Sequence, residues 1–272
     1  MKQGLKAVGK VIVYFGVYLL TQVLVSVVYS IILTAKTGAE MGTGSDGLDE
    51  VTMIVSALLM ERLMEMTFVA GIVSLFIYWL VFLIRKKKFT KEICLRKIPV
   101  SGILPIAIMA AAFNIITTVI ISFIPWPQEW MDSYIQNSSA IDGSLMAWLT
   151  AVFTAPILEE IVFRGLIYTR LKKGFPVAAA AVITSVIFAI AHGTIIWMIY
   201  TFIFSLVLIW IFEKFQSLTA SIILHMFYNL SGMALSLIPE DAGVLILILF
   251  VVSIVGVFLA YKRMKDMYTV SS

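Results

Sequence analysis

The chain has 272 residues, 61% of them hydrophobic and 13% charged, with a mean hydropathy of +1.03. That is too apolar for a water-soluble domain of this size, so lipid is its main solvent. The formal charge of +4 does not point to nucleic acid, because Lys and Arg stand beside apolar runs rather than interleaving with aromatics on a polar surface. Membrane lipids explain them better. The apolar runs are far longer than barrel strands need, which excludes an outer-membrane barrel, and a single cysteine, Cys94, excludes an internal disulfide or a cysteine-based metal cluster.

The first apolar run, Val11 to Leu33, follows Lys2, Lys6 and Lys10. It is too long for a signal peptide and reads as a retained helix. A Gly-rich acidic loop, Ala35 to Glu50, precedes a second helix from Val51 to Ile84, whose amphipathic first part carries Glu61, Arg62 and Glu65 and whose end is the basic run Arg85 to Lys88. A third helix spans Ile103 to Ile124 and stops at Pro125 and Pro127, with Trp126 and Trp130 suited to a membrane interface. Helix four covers Leu145 to Tyr168, helix five Val177 to His192, helix six Ile195 to Phe212, helix seven Leu218 to Leu237 and helix eight Val244 to Tyr261. The pattern predicts an all-α polytopic integral membrane protein of about eight transmembrane helices.

Charge gives a second line of argument for this count. With the N-terminus inside, the basic ends at Arg85 to Lys97, Arg164 to Lys173 and Lys262 to Lys265 fall on one side. Glu40, Asp46, Asp49, Glu50, Glu129, Asp132, Asp142, Glu240 and Asp241 fall on the other, leaving Lys36 and Arg62 as exceptions. Both termini are therefore expected in the cytoplasm.

Ionisable side chains inside apolar helices cost about 2.5–3.5 kcal/mol each by insertion scales, and they mark function. In helix four, Glu159 and Glu160 are adjacent and Arg164 lies one turn below Glu160, so these two can form an intrahelical ion pair. Glu159 is rotated from Glu160 by about 100° and faces another part of the bundle. The two histidines of the chain, His192 and His225, both stand at apolar helix positions. Phe188 shares a face with His192, and Asn229 shares one with His225.

These groups permit hydrolysis without a Ser or Cys nucleophile. Glu159 with His192 can act as general base toward water, and His225 with Asn229 can donate to a tetrahedral oxyanion. Glu160 and Arg164 support the site. The same groups allow a zinc alternative held by Glu159, His192 and His225. A His-Glu-x-x-His helix is missing, however, and an Asn beside the ligands is unusual for zinc, so no metal and no cofactor is the expectation.

The three motifs Glu159-Glu160-x-x-x-Arg164, Phe188-x-x-x-His192 and His225-x-x-x-Asn229, in this order on successive helices, resemble the CPBP family, also called the Abi or type II CAAX protease family. The resemblance covers about Leu145 to Gly232, and the first three helices match only in being hydrophobic. It divides one structural domain into residues 1–144, a catalytic core at 145–238, and a last helix with its tail at 239–272. It implies an eight-helix endopeptidase in which Glu159 activates water with His192, His225 and Asn229 hold the oxyanion, Glu160 and Arg164 brace the site, and Phe188 shapes it. It implies protein or peptide substrates, prenylated or leader-bearing, and a prokaryotic plasma membrane. The alternative is a non-catalytic scaffold or bacteriocin self-immunity protein on the same fold. A proton-relaying transporter ranks last because inverted repeats are not apparent.

Overall fold

A computed structural model describes residues 2–41, 48–139, 144–239 and 241–269. Asp46, Asp142 and Glu240, used in the charge argument, lie outside them. Every described element is helical, as lipid demands of a backbone that must satisfy its own hydrogen bonds. In chain order these are α1 (Lys2–Met41), α2 (Leu48–Glu61), α3 (Leu63–Ile84), the short α4 (Phe89–Glu92), α5 (Val100–Phe123), α6 (Gln128–Ser139), α7 (Leu145–Leu171), α8 (Val177–Ile190), α9 (Ile195–Phe215), α10 (Leu218–Leu235) and α11 (Gly243–Thr269).

Seven of these, α1, α3, α5, α7, α9, α10 and α11, are long and apolar enough to cross a membrane. The remaining expected span, α8, has 14 residues and rises only about 21 Å, against a hydrocarbon core of about 30 Å. Two boundaries also differ from the sequence expectation. The first helix runs on through Ala35–Met41, a stretch with no proline and one glycine, and Leu33 packs there with Val51 and Val55 of α2. The long second helix is interrupted at Arg62, which separates α2 from α3.

Helix α7 runs through the middle of the bundle. All residues from Glu160 to Leu171 are buried. One apolar core joins α7 to α1, α3 and α8 through residues such as Tyr14, Tyr78, Phe163 and Phe188. A second joins α5, α9, α10 and α11 through Ile106, Phe204, Leu224 and Met264. The motif residues lie along the seam between the two cores.

One end of the bundle gathers distant parts of the chain. Gly4 and Gly174 meet so closely that a Cβ on Gly174 would stand 2.8 Å from the Gly4 Cα. Arg170 bonds Glu92 at 2.6 Å, the Leu218 amide donates to the Cys94 carbonyl at 2.9 Å, and Gly102 faces both Phe215 and Met267. The start of α1, the 85–99 loop, the end of α7 and the start of α10 thus share one end, together with the last turns of α11. His225 lies seven residues beyond Leu218 on α10, about 10 Å along the axis from that end.

Candidate active site

The local build of α7 begins with Pro156. Leu149–Thr154 is a π-helical turn in which the Ala155 amide donates to the Thr150 carbonyl, five residues back. In that register the Ala151 carbonyl would be served by residue 156, but proline has no N–H to give. Asn229 of α10 serves it instead, donating from Nδ2 at 2.7 Å. The amide has a second N–H to offer. A second π-helical stretch, Glu160–Tyr168, follows, and π turns of this kind recur at functional sites.

Glu160 and Arg164 form the ion pair that their spacing predicts, Nη1 to Oε1 at 2.8 Å, and both side chains are fully buried. The pair is extended at both ends. Arg164 Nη2 donates to Ser205 Oγ at 2.8 Å and to the Ser205 carbonyl at 3.3 Å, and the guanidinium carbon lies 4.4 Å from the centre of the Phe188 ring. On the other side, His225 Nδ1 is 2.8 Å from the same Glu160 Oε1 that Arg164 uses. With a carboxylate as partner, that nitrogen carries the proton. The imidazole is held between rings as well, with Phe204 at 5.2 Å and Phe188 at 6.1 Å.

This arrangement aims His225 Nε2 at Glu159, whose Oε2 is 3.8 Å away. The Glu159 side chain retains 17% exposure, and its Oε2 is buried without a hydrogen-bond partner among the described residues. His192, half-buried, follows the end of α8. Its Nδ1 is 2.7 Å from the Phe188 carbonyl, its ring is 4.5 Å from Phe188, and it interacts electrostatically with Glu159 and His225. Phe188 is fully buried against Phe163, His192 and Arg164.

All seven motif residues are thus brought to one region, by three helices and a turn. The nearer imidazole partner of Glu159 is His225, although the sequence reading pairs it with His192. The zinc alternative needs Glu159, His192 and His225 to gather their donors about one point, and among the described residues no group of three or more His, Cys, Asp or Glu side chains does so. Two participants are absent from the motif reading. Ser205 could have been noticed as a polar residue inside the otherwise apolar run Ile203–Phe212, whereas nothing in the sequence marks the Ala151 carbonyl as needing a donor.

The fold and this buried carboxylate–guanidinium–imidazole chain define a helical polytopic membrane protein with a polar cluster inside its bundle. Residues 141–231 match the family model described as type II CAAX prenyl endopeptidase Rce1-like, and the matched stretch contains all seven motif residues. The likeness is to that family's model and covers about a third of the chain. No curated protein and no solved structure matches the chain.

Proposed function

We propose that this protein is an intramembrane endopeptidase in which Glu159 activates the hydrolytic water. The observation that carries the reading is the relay Ser205–Arg164–Glu160–His225, which fixes one imidazole and leaves Glu159 Oε2 without a partner facing it. Glu159, assisted by His192, takes a proton from water as the oxygen bonds to the scissile carbonyl carbon. The carbonyl electrons move onto oxygen, and that oxyanion accepts hydrogen bonds from His225 Nε2–H and the remaining N–H of Asn229 Nδ2. Collapse breaks the C–N bond, and Glu159 returns its proton to the leaving amine. Products are a carboxylic acid and an amine, which become carboxylate and ammonium by exchange of one proton.

Charge balance supports this state of the site. For Nε2 to donate while Nδ1–H is held by Glu160, His225 must be an imidazolium. Arg164 and His225 then carry two positive charges against two negative ones on Glu159 and Glu160, so the buried cluster is neutral as a whole. The basic end of the bundle faces the cytosol of the plasma membrane under the positive-inside rule, and the substrate is a CAAX-type or leader-bearing peptide presented from that membrane.

The test is cleavage of a fluorogenic prenylated CAAX peptide and of leader peptides by the purified protein, with Glu159→Gln beside wild type and each with and without a strong chelator. Cleavage that disappears in Glu159→Gln and survives chelation supports the reading, and chelator-sensitive cleavage supports a metal. A specific observation favours one second reading, a non-catalytic scaffold: the donation of Asn229 to Ala151 is a purely structural use of a motif residue. That reading gains if wild type is inert on every substrate while Glu159→Gln still restores a cellular phenotype.

A further inference from the structure

The loop between α3 and α5 holds seven basic residues between Arg85 and Lys97 and a single carboxylate, Glu92. That carboxylate is already shared, with Lys87 at 3.4 Å and Arg170 at 2.6 Å. Lys88, Lys91 and Arg96 are exposed and have no ion-pair partner among the described residues. They do not point in unrelated directions. Together with Thr90, Cys94 and Leu95 they line a surface pocket of about 270 Å³.

The loop that forms this pocket is anchored. Ile93 is buried against Gly165 of α7, where a Cβ would come within 3.0 Å of it. Cys94 has a φ of 56°, a left-handed turn that non-glycine residues adopt only when their surroundings hold them there. The carbonyls on either side of Leu95 are both used by the start of α10, Cys94 by the Leu218 amide and Arg96 by the Ser217 hydroxyl. Three cations on a fixed frame form a recess for a multiply liganded anion, and a phosphate oxygen cluster suits Lys and Arg donors.

The apolar surroundings decide what the anion is attached to. Leu95, in the pocket wall, is 41% exposed, and the last residue of α3, Ile84, and the first of α5, Val100, are 71% and 81% exposed. These side chains bracket the loop at the ends of two helices that are long and apolar enough to cross a membrane. A free phosphate has no use for them, whereas a phospholipid presents a phosphate and acyl chains together at this height.

We propose that the pocket formed by Lys88, Lys91 and Arg96 binds the phosphate of an anionic phospholipid headgroup in the leaflet at the basic end of the bundle. The ligand sits on the loop whose carbonyls hold the first residues of α10, the helix that carries His225 and Asn229. The site stands on the membrane fold alone and is independent of the protease reading.

The test uses the full-length protein in neutral detergent micelles doped with phosphatidylglycerol or with phosphatidylcholine. Native mass spectrometry reads the lipid retained, and the modification rate of Cys94, the only cysteine, by a neutral maleimide reads occupancy of the pocket itself. Wild type is expected to retain phosphatidylglycerol in preference to phosphatidylcholine, and that lipid slows Cys94 modification. Removal of three juxtamembrane cations in the triple variant Lys88→Gln, Lys91→Gln, Arg96→Gln weakens retention on the order of 100-fold. Equal retention of the two lipids, retention unchanged in the triple variant, or Cys94 modified equally fast with and without phosphatidylglycerol would each overturn the proposal. Protection of Cys94 by inorganic phosphate as strong as that by phosphatidylglycerol would assign the pocket to a free phosphate and overturn the lipid.

Discussion

Glu160 Oε1 accepts from Arg164 Nη1 and from His225 Nδ1, both at 2.8 Å, so one buried oxygen ties the α7 ion pair to α10. Truncating it removes the partner of two buried donors at once. Glu160→Ala is expected to cost about 3–5 kcal/mol, because the Arg164 charge is left uncompensated. Glu159→Gln, at a carboxylate whose Oε2 has no hydrogen-bond partner among the described residues, is expected to leave the melting temperature nearly unchanged while lowering cleavage by about 10²–10⁴-fold. Thermal unfolding in micelles and peptide cleavage, measured on both variants, separate the two carboxylates. Equal destabilisation would sink the division of roles.

Asn229 and Pro156 are expected to be coupled. Asn229→Ala leaves the Ala151 carbonyl without a donor and should cost about 1–3 kcal/mol. Pro156→Ala restores an N–H at the position that would serve this carbonyl, so Asn229→Ala should cost less in that background. A double-mutant cycle on unfolding free energy checks this, and strict additivity would refute it.

The close approach of α3 to α7 at Gly71 is a packing constraint. A Cβ there would lie 2.8 Å from Thr154 Cγ2, beside the π turn that sets Asn229. Gly71→Val is expected to destabilise by about 1–3 kcal/mol through overpacking and to lower cleavage with it, whereas Gly9→Val, where the added carbon meets nothing within 4 Å, should do neither. Parallel unfolding and cleavage assays decide.

The Glu92 bridge gives the basic end a pH dependence. Burial pushes the Glu92 carboxyl up, but Arg170 and Lys87 more than offset it and hold it below the usual carboxylate range. A depressed folded value means that the contribution is complete above the unfolded carboxylate value and is lost as pH falls through the folded one. Wild type should therefore lose stability on acidification through the carboxylate range, and Glu92→Gln should show a flatter profile over the same interval. Melting temperature against pH reads the difference, and parallel curves would contradict it.

Much of this was readable in the sequence because lipid simplifies the code. Apolar runs mark the spans, and each ionisable residue inside one stands out against them. The Glu160–Arg164 pair followed from helical spacing, as did the shared face of His225 and Asn229. What spacing does not carry is which neighbouring helix a face meets. His225 turned out to bond Glu160, and Asn229 to bond a backbone carbonyl, because those partners depend on the packing of α10 against α7. The short reach of α8 was legible as well: the sequence already stops this helix at His192, and with the turn through Gly193, φ at +83°, it ends two residues earlier, at Ile190.

The brevity of α8 also acts on the lipid. Val177, Val182, Val186 and Ile190 are exposed along it, so the surrounding bilayer meets an apolar wall about 9 Å shorter than its own hydrocarbon thickness. Acyl chains bordering that wall must compress or tilt, and this hydrophobic mismatch carries a modest free-energy cost for each ångström. Under the proposed function, a membrane thinned in this way beside His192 would shorten the path by which a peptide backbone leaves water.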